Sequence, residues 1–189
     1  MTKIILVLIA CMAVLPSANA ALHPDDIDRA AAAVQPQVVD WRRWFHQNPE
    51  LSNREFNTSA RIADILRGMG LEPRTGIAHT GVIAVIEGGL PGPLVAIRTD
   101  IDGLPVEEQT GLPYASTVRS EYNGQDVGVM HACGHDAHMA MVLGAAKILN
   151  DMKAELNGSV MLIFQPAEEG PPGGEDGGCL LYTSDAADD

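Results

Sequence analysis

The sequence has 189 residues, of which 46% are hydrophobic and 20% charged, a composition that favours one folded domain over disorder. Twelve basic and 25 acidic side chains give a formal net charge of −13, which argues against a nucleic-acid-binding protein, because such proteins normally present a basic face. The same charge disfavours attraction to anionic lipid. Only 4% of the residues are aromatic, so aliphatic side chains must form most of the core.

The first twenty residues are typical of a secretory signal peptide. Lys3 supplies the positive end, residues Ile4 to Leu15 are apolar, and Ala18-Asn-Ala20 offers a small-residue cleavage site. We expect cleavage before Ala21 and a periplasmic or secreted mature protein without a membrane anchor. One alternative is an uncleaved anchor or a buried first helix, although a bilayer span needs about twenty apolar residues. Another alternative is lipid attachment at Cys11.

The next part of the chain predicts two helices and then two strands. Apolar residues recur at helical spacing over Asp25–Phe45, where Pro36 introduces a kink or a break into two shorter helices. A second helix is predicted over Thr58–Met69. The β-branched runs Thr80–Glu87 and Leu94–Thr99 predict two strands, joined by a turn rich in glycine and proline.

The remaining elements complete an alternating pattern. Residues 103–128 are rich in turn-forming residues and predict a long surface loop. Asp136 is expected to cap a helix from Ala137 to about Leu156, and an apolar strand over Ser159–Gln165 follows. Helices that alternate with strands predict an α/β fold. Residues 179–189 show no periodicity, and we expect a non-native or disordered tail there.

Four potential metal ligands lie within eight residues of one another. They are His131, Cys133, His135 and His138. Cys133 and His135 can converge because Gly134 between them permits a tight bend. Thiolate and imidazole together suit zinc or another borderline transition metal. The alternative for this segment alone is a polar turn with ordinary hydrogen-bonded histidines.

Two pairs of carboxylates follow apolar strands. Glu168 and Glu169 come after the last predicted strand, at the position where α/β sheets bind ligands, and a bend after Pro166 could turn both toward one site. Asp100 and Asp102 end an earlier strand, and their spacing places both on the same face. Taken singly, the glutamates could be solvated surface charges and the aspartates part of an Asp-Gly turn.

At these residues the sequence resembles the M20 family of metallopeptidases. It is most similar to the amidohydrolase branch, which includes hippurate hydrolases, N-acyl-amino-acid amidohydrolases and plant indoleacetyl-amino-acid hydrolases. The segments that carry the resemblance are Arg42–Ser52, Arg98–Glu107, Met130–His138 and Phe164–Gly170.

The resemblance implies part of an M20-like catalytic domain over residues 21–178, with a mostly parallel or mixed sheet flanked by helices. Carried over by position, Cys133, His135 and Glu169 are metal ligands. Glu168 is the general base for a metal-activated water, and Asp102 joins it as the second catalytic residue. Asp100, together with His131 and His138, supports the site. Two divalent metal ions, of zinc, manganese, cobalt or nickel, are implied for the full-length protein.

The implied reaction is hydrolysis of the amide bond in N-acyl amino acids or similar small amides. Family members are longer, with two further histidine ligands beyond Glu169 and an inserted domain for dimerisation and closure; His23, His46 and His79 match none of those positions. We therefore expect a truncated piece with little activity alone, whose full-length form is a homodimer. The alternatives are a non-catalytic binding relative on the same fold and an enzyme that uses Cys133 as a nucleophile.

Overall fold

The computed structural model describes residues 23–177, which form three α-helices, one short 3-10 helix (Lys153–Glu155) and six strands. The predicted signal peptide, Cys11, Cys179 and the predicted tail lie outside the described residues. In chain order the elements are α1 (Pro24–Gln47), α2 (Phe56–Gly68), β1 (Arg74–Ile77), β2 (Gly81–Glu87), β3 (Leu90–Asp100), β4 (Arg119–Tyr122), β5 (Gln125–Gly128), α3 (His135–Asp151) and β6 (Asn157–Gln165). Among the described residues, no helix has the length and apolar character needed to cross a membrane.

Helix α1 is a single element that continues through Pro36. Its N-terminus is capped by two reciprocal hydrogen bonds. The ring of His23 accepts the backbone N–H of Asp25, and the carboxylate of Asp26 accepts the backbone N–H of His23. Pro36 lacks the N–H that would bond to the carbonyl of Ala32, but both residues are exposed, so water can satisfy that carbonyl. The predicted break is therefore absent.

The main sheet has the strand order β1-β2-β6-β3. Strand β2 pairs antiparallel with β1 and with β6, whereas β3 pairs parallel with β6. The prediction of an α/β fold with a mixed sheet is confirmed. The two strands predicted on either side of the glycine-rich turn are present, but β6 lies between them, and the turn packs on the start of β6 through a 2.9 Å hydrogen bond from Gly88 N to Gly158 O.

The helices share one core with one face of the sheet. Alternate residues of β2 and β6, among them Ala84, Ile86 and Leu162, are buried in the same cluster as the apolar side chains of α1, α2 and α3. A smaller cluster around Ile83 and Ile163 lies on the opposite face. This packing fixes α3 over the sheet, so the position of its first turn follows from the core.

The region predicted as a long surface loop contains the hairpin of β4 and β5. Asn123 and Gly124 connect the two strands and have φ values of 52° and 76°. Positive φ at both central residues is the geometry of a type I′ hairpin turn, which Asn-Gly favours. The loop prediction was wrong for residues 119–128, because this two-residue signal lies between short polar strands. The short, mostly exposed strand β1 was missed for a similar reason.

Candidate metal centre

The candidate site lies at the edge of the sheet where the parallel strands β3 and β6 end side by side. Asp100, the last residue of β3, is paired with Gln165, the last residue of β6. Ligands of α/β proteins bind beyond the carboxyl ends of such strands. The segments that follow both strands meet the loop that leads into α3 at this edge.

Two groups of potential ligands share one histidine. Ligand atoms of Cys133, His135 and Glu169 all lie within 4.8 Å of one another, and so do those of Asp100, His135 and Glu168. His135 is buried, Glu169 is half-buried and Cys133 is exposed. The structure therefore brings together the three residues predicted as metal ligands and places the predicted base beside the shared histidine.

The backbone of Asp102 fixes the orientation of the His135 ring. Nδ1 of His135 lies 2.8 Å from the carbonyl oxygen of Asp102 and 3.6 Å from Oδ1 of the same residue, so the carbonyl is the hydrogen-bond acceptor. A carbonyl can only accept, so Nδ1 carries the proton in the neutral ring and Nε2 keeps its lone pair. Nε2 lies 3.8 Å from Glu169 Oε1 and 3.9 Å from Glu168 Oε2.

The charges around His135 favour its protonated form in the protein alone. Burial acts to lower the pKa of His135, but the hydrogen bonds and negative charge of Asp102, with a contribution from Asp100, outweigh burial and raise this pKa to about 9. A metal ion would bind the neutral ring and release that proton. The surrounding carboxylates therefore attract any cation to this position.

Asp102 holds the two ligand-bearing segments together. It is 1% exposed, and its Oδ2 accepts hydrogen bonds from Ser52 Oγ at 2.7 Å and from the backbone N–H of Glu169 at 2.9 Å. Burial acts to raise the pKa of Asp102, but the adjacent His135 ring and the hydrogen bonds from Ser52 and Glu169 outweigh it and lower the pKa. In this enclosed position Asp102 orients the two segments, while its predicted catalytic role stays a prediction. No local pattern in the sequence indicates Ser52 as its partner.

The chain bends directly after β6, as the sequence predicts. Ala167 follows Pro166 with φ of 51°, a left-handed conformation that is uncommon for alanine. Beyond this turn the side chain of Glu168 is 41% exposed and that of Glu169 is 20% exposed. The turn thus presents one carboxylate to solvent and the other toward Cys133 and His135.

The predicted supporting residues have different surroundings. His131 is buried, and within the described residues both of its ring nitrogens lack a hydrogen-bond partner. Burial lowers the pKa of His131 to about 4, so its ring is neutral at neutral pH. His138 is exposed with its ring centroid 5.9 Å from that of His135, and Asp100 Oδ1 accepts two hydrogen bonds from Arg98.

Asp136 does not cap α3, contrary to the prediction. The residue before the helix is Gly134, with φ of 97°, and Asp136 lies buried in the first turn. Asp136 Oδ2 lies 2.9 Å from His46 Nδ1 and 3.1 Å from Arg42 Nε, and His46 Nε2 lies 3.0 Å from Glu108 Oε1. The carboxylate is therefore used to join the end of α1 to the start of α3.

The donor set fits a divalent transition metal. Thiolate, imidazole and carboxylate donors converge, which suits zinc and similar ions. Glu169 Oε1 is buried without a hydrogen-bond partner among the described residues, as is Asp102 Oδ1. A buried carboxylate oxygen without a partner is costly, and a cation bound between Cys133 and His135 would satisfy Glu169.

Comparison with known proteins agrees with the motifs. Residues 96–182 match the model of Peptidase family M20/M25/M40. An N-acetyl-L-cysteine deacetylase of Bacillus subtilis is 46% identical over 142 residues, which are 75% of this chain and 32% of that protein. An IAA-amino acid hydrolase of Arabidopsis thaliana is 47% identical over 145 residues, which are 75% of this chain and 31% of that protein. The chain belongs to the M20 family.

Solved structures support the M20 fold of the described residues. A Bacillus subtilis protein described as a dinuclear metal-binding peptidase from the M20 family superimposes with a TM-score of 0.65 at 46% identity, covering 73% of this chain and 37% of that one. This M20 chain spans about a third of the length of the curated relatives it matches.

Proposed function

We propose that this M20 chain contributes a metal site and a general base to an enzyme that hydrolyses the amide bond of N-acyl amino acids or similar small amides. The observation that carries the proposal is the convergence of Cys133, His135 and Glu169 beside the exposed carboxylate of Glu168. Relatives named as an N-acetyl-L-cysteine deacetylase and an IAA-amino acid hydrolase support this substrate class.

Three side chains would hold the metal: the thiolate of Cys133, Nε2 of His135 and a carboxylate oxygen of Glu169. When bound, a divalent ion makes a water nucleophilic near neutral pH and polarises the scissile carbonyl. The hydrogen bond from Nδ1 of His135 to the Asp102 carbonyl makes Nε2 the nitrogen that is free to bind the metal once the ring is neutral. Asp102 also holds the backbone of Glu169 at the site.

Glu168 is the proposed proton carrier. Its Oε2 lies 3.9 Å from Nε2 of His135, and its exposure allows it to reach both a water and a bound substrate. As general base it takes the proton of the attacking water at a carboxylate oxygen. It then gives that proton to the nitrogen of the leaving amine, so the same side chain acts as base and acid.

A cysteine nucleophile is disfavoured by the charges around Cys133. The hydrogen-bonding Glu169 carboxylate, followed by burial and the charges of Glu168 and Asp100, raises the pKa of the Cys133 thiol. Nucleophilic cysteines need the opposite, a lowered pKa in an electropositive environment. A metal ion at this site would deprotonate the thiol on binding, so Cys133 can act as a ligand despite its raised pKa.

The test is an assay of the product of the complete gene that encodes this chain, with N-acetyl amino acids as substrates. We expect hydrolysis that a chelator abolishes and divalent metal restores, and a fall in kcat of about 10²- to 10⁴-fold in Glu168→Gln. Glu72→Gln, an exposed glutamate before β1, is the matched control and should keep full activity. Activity that survives chelation, or full kcat in Glu168→Gln, would refute the proposal.

A further inference from the structure

We propose that Glu55 is a positioning residue of this site: its buried carboxylate holds the left-handed turn at Ala167 that directs Glu168 and Glu169 toward His135. The roles of the two glutamates rest on the proposed function, whereas the contact with Ala167 does not. Glu55 lies 112 residues before Ala167 in the sequence, in the short link between α1 and α2.

The carboxylate of Glu55 joins three parts of the fold. Its Oε1 accepts the backbone N–H of Ala167 at 2.8 Å, and its Oε2 accepts the hydroxyl of Thr80 at 2.6 Å. Glu55 occupies the position before the first turn of α2, yet its side chain makes no capping hydrogen bond to that helix. Its hydrogen-bonding capacity is directed to the turn after β6 and to the residue before β2.

The turn at Ala167 needs such an anchor. A left-handed conformation of a non-glycine residue persists only when its surroundings enforce it. Ala167 is buried, so its N–H needs an acceptor inside the protein, and the preceding Pro166 has no N–H to offer. Asp102 accepts the N–H of Glu169 two residues further on, so carboxylates from two distant segments hold the backbone on both sides of Glu168.

A role in packing alone would not explain a carboxylate at this place. Glu55 is 0% exposed, and burial raises the pKa of its side chain. Burying a carboxyl group is unfavourable unless its oxygens are hydrogen-bonded, and an apolar side chain of similar size would fill the volume without that cost. Only a side chain with acceptor oxygens can make the hydrogen bonds to Ala167 and Thr80, and these bonds account for the carboxyl group of Glu55.

The experiment compares Glu55→Met, which removes the acceptor, with Glu55→Gln, which keeps one carbonyl oxygen for Ala167. Thr80→Val is the matched control, because it removes the other hydrogen bond of Glu55 and leaves the contact with Ala167. All are made in the complete gene product. The readouts are amide hydrogen exchange in the peptide that contains Ala167, Co²⁺ affinity, and kcat and KM for an N-acetyl amino acid.

In Glu55→Met we expect exchange at Ala167 to accelerate at least tenfold, Co²⁺ affinity to fall about 10- to 100-fold, and kcat to fall with little change in KM. Glu55→Gln should stay within about threefold of wild type in each readout, and Thr80→Val should leave exchange at Ala167 slow. Wild-type exchange and Co²⁺ affinity in a folded Glu55→Met protein would overturn the inference.

Two outcomes remain informative on their own. If Glu55→Met does not fold, Glu55→Asp decides: it keeps a carboxylate but is one methylene shorter, so it cannot reach both Ala167 and Thr80. Exchange at Ala167 must then be faster than in wild type, and unchanged exchange overturns the inference. If no variant, nor the wild type, binds Co²⁺ or hydrolyses substrate, the proposed function fails, while exchange at Ala167 continues to test the contact with Glu55.

Discussion

At the scale of single residues, the proposed metal ligands of this site are held in place by hydrogen bonds to a neighbouring buried residue. The ring of His135 is oriented by a backbone carbonyl, and Glu169 is held by its own backbone N–H; both contacts go to Asp102. Mutation of a residue that orients a metal ligand typically lowers metal affinity or activity by about 10- to 100-fold. The buried residues behind the site are therefore expected to control its affinity for metal.

Ser52 tests this expectation most directly. Its hydroxyl donates to the same Asp102 oxygen that accepts the N–H of Glu169, so Ser52→Ala leaves that oxygen with one donor fewer. We expect Co²⁺ affinity to fall about tenfold, measured by competition titration. Ser59→Ala removes a buried hydroxyl in α2 and serves as the control. Equal affinities of the two variants would contradict the positioning role of Asp102.

At the scale of elements, the contact between α1 and α3 depends on Gly144. A Cβ added at this position would lie 2.6 Å from Cγ2 of Val38, closer than real contacts allow. The helix there approaches its neighbour without room for a side chain. This close approach helps to set the position of α3, whose first turn carries His135.

We expect Gly144→Ala to lower the free energy of unfolding by about 1 kcal/mol, because overpacking of 1–3 kcal/mol exceeds the roughly 1 kcal/mol that alanine gains over glycine in a helix. Val38→Ala in the same chain removes the clash, so the double variant should be more stable than the sum of the single changes predicts. Urea unfolding measures all three variants. If the two changes in unfolding free energy are strictly additive in the double variant, Gly144→Ala and Val38 do not clash.

Elements with a strong local pattern could be predicted from the sequence. The apolar spacing in α1 and the β-branched runs of β2, β3 and β6 determine their type locally, so their predicted bounds lie close to the observed ones. The Asn123-Gly124 turn was also a usable local signal, but the polar strands around it hid the hairpin. The order of the strands in the sheet could not be predicted from the sequence, because the position of β6 between β2 and β3 depends on contacts between residues distant in sequence.

The same distinction applies to the site. Cys133, His135, Glu168 and Glu169 could be named from their motifs because they lie close together in two short segments. Ser52 and Glu55 could not, since each contacts its partner across 50 and 112 residues respectively, and a lone serine or glutamate carries no local sign of that contact. The cap predicted at Asp136 failed for the same reason, as its partners lie on α1.

At the scale of the whole molecule, the buried Glu55 makes stability depend on pH. Its pKa in the fold is raised above the ordinary 4.5, so the folded protein holds this proton more tightly than the unfolded chain does. As pH rises above 4.5, the unfolded chain ionises freely while the fold must bury a charge. Glu55 therefore contributes less stability at neutral pH than at pH 4.5.

Glu55→Gln removes that titration and leaves the other groups unchanged. The free energy of unfolding of wild type, relative to that of Glu55→Gln, should decline as pH rises from about 4.5 until the folded-state pKa of Glu55 is passed. Urea unfolding of both proteins at a series of pH values measures the difference. A difference that is constant with pH, or that grows in favour of wild type, would contradict the raised pKa.

The position of β6 also governs when the sheet can form during synthesis. This strand pairs with both β2 and β3, yet it is made after them, because 65 residues must be added after Asp100 to reach Gln165. At 5–20 residues per second, the ribosome needs roughly 3–13 seconds to make that interval. During this time the apolar strands β2 and β3 lack the strand that pairs with both of them. They are therefore accessible to chaperones or to neighbouring chains until β6 is made.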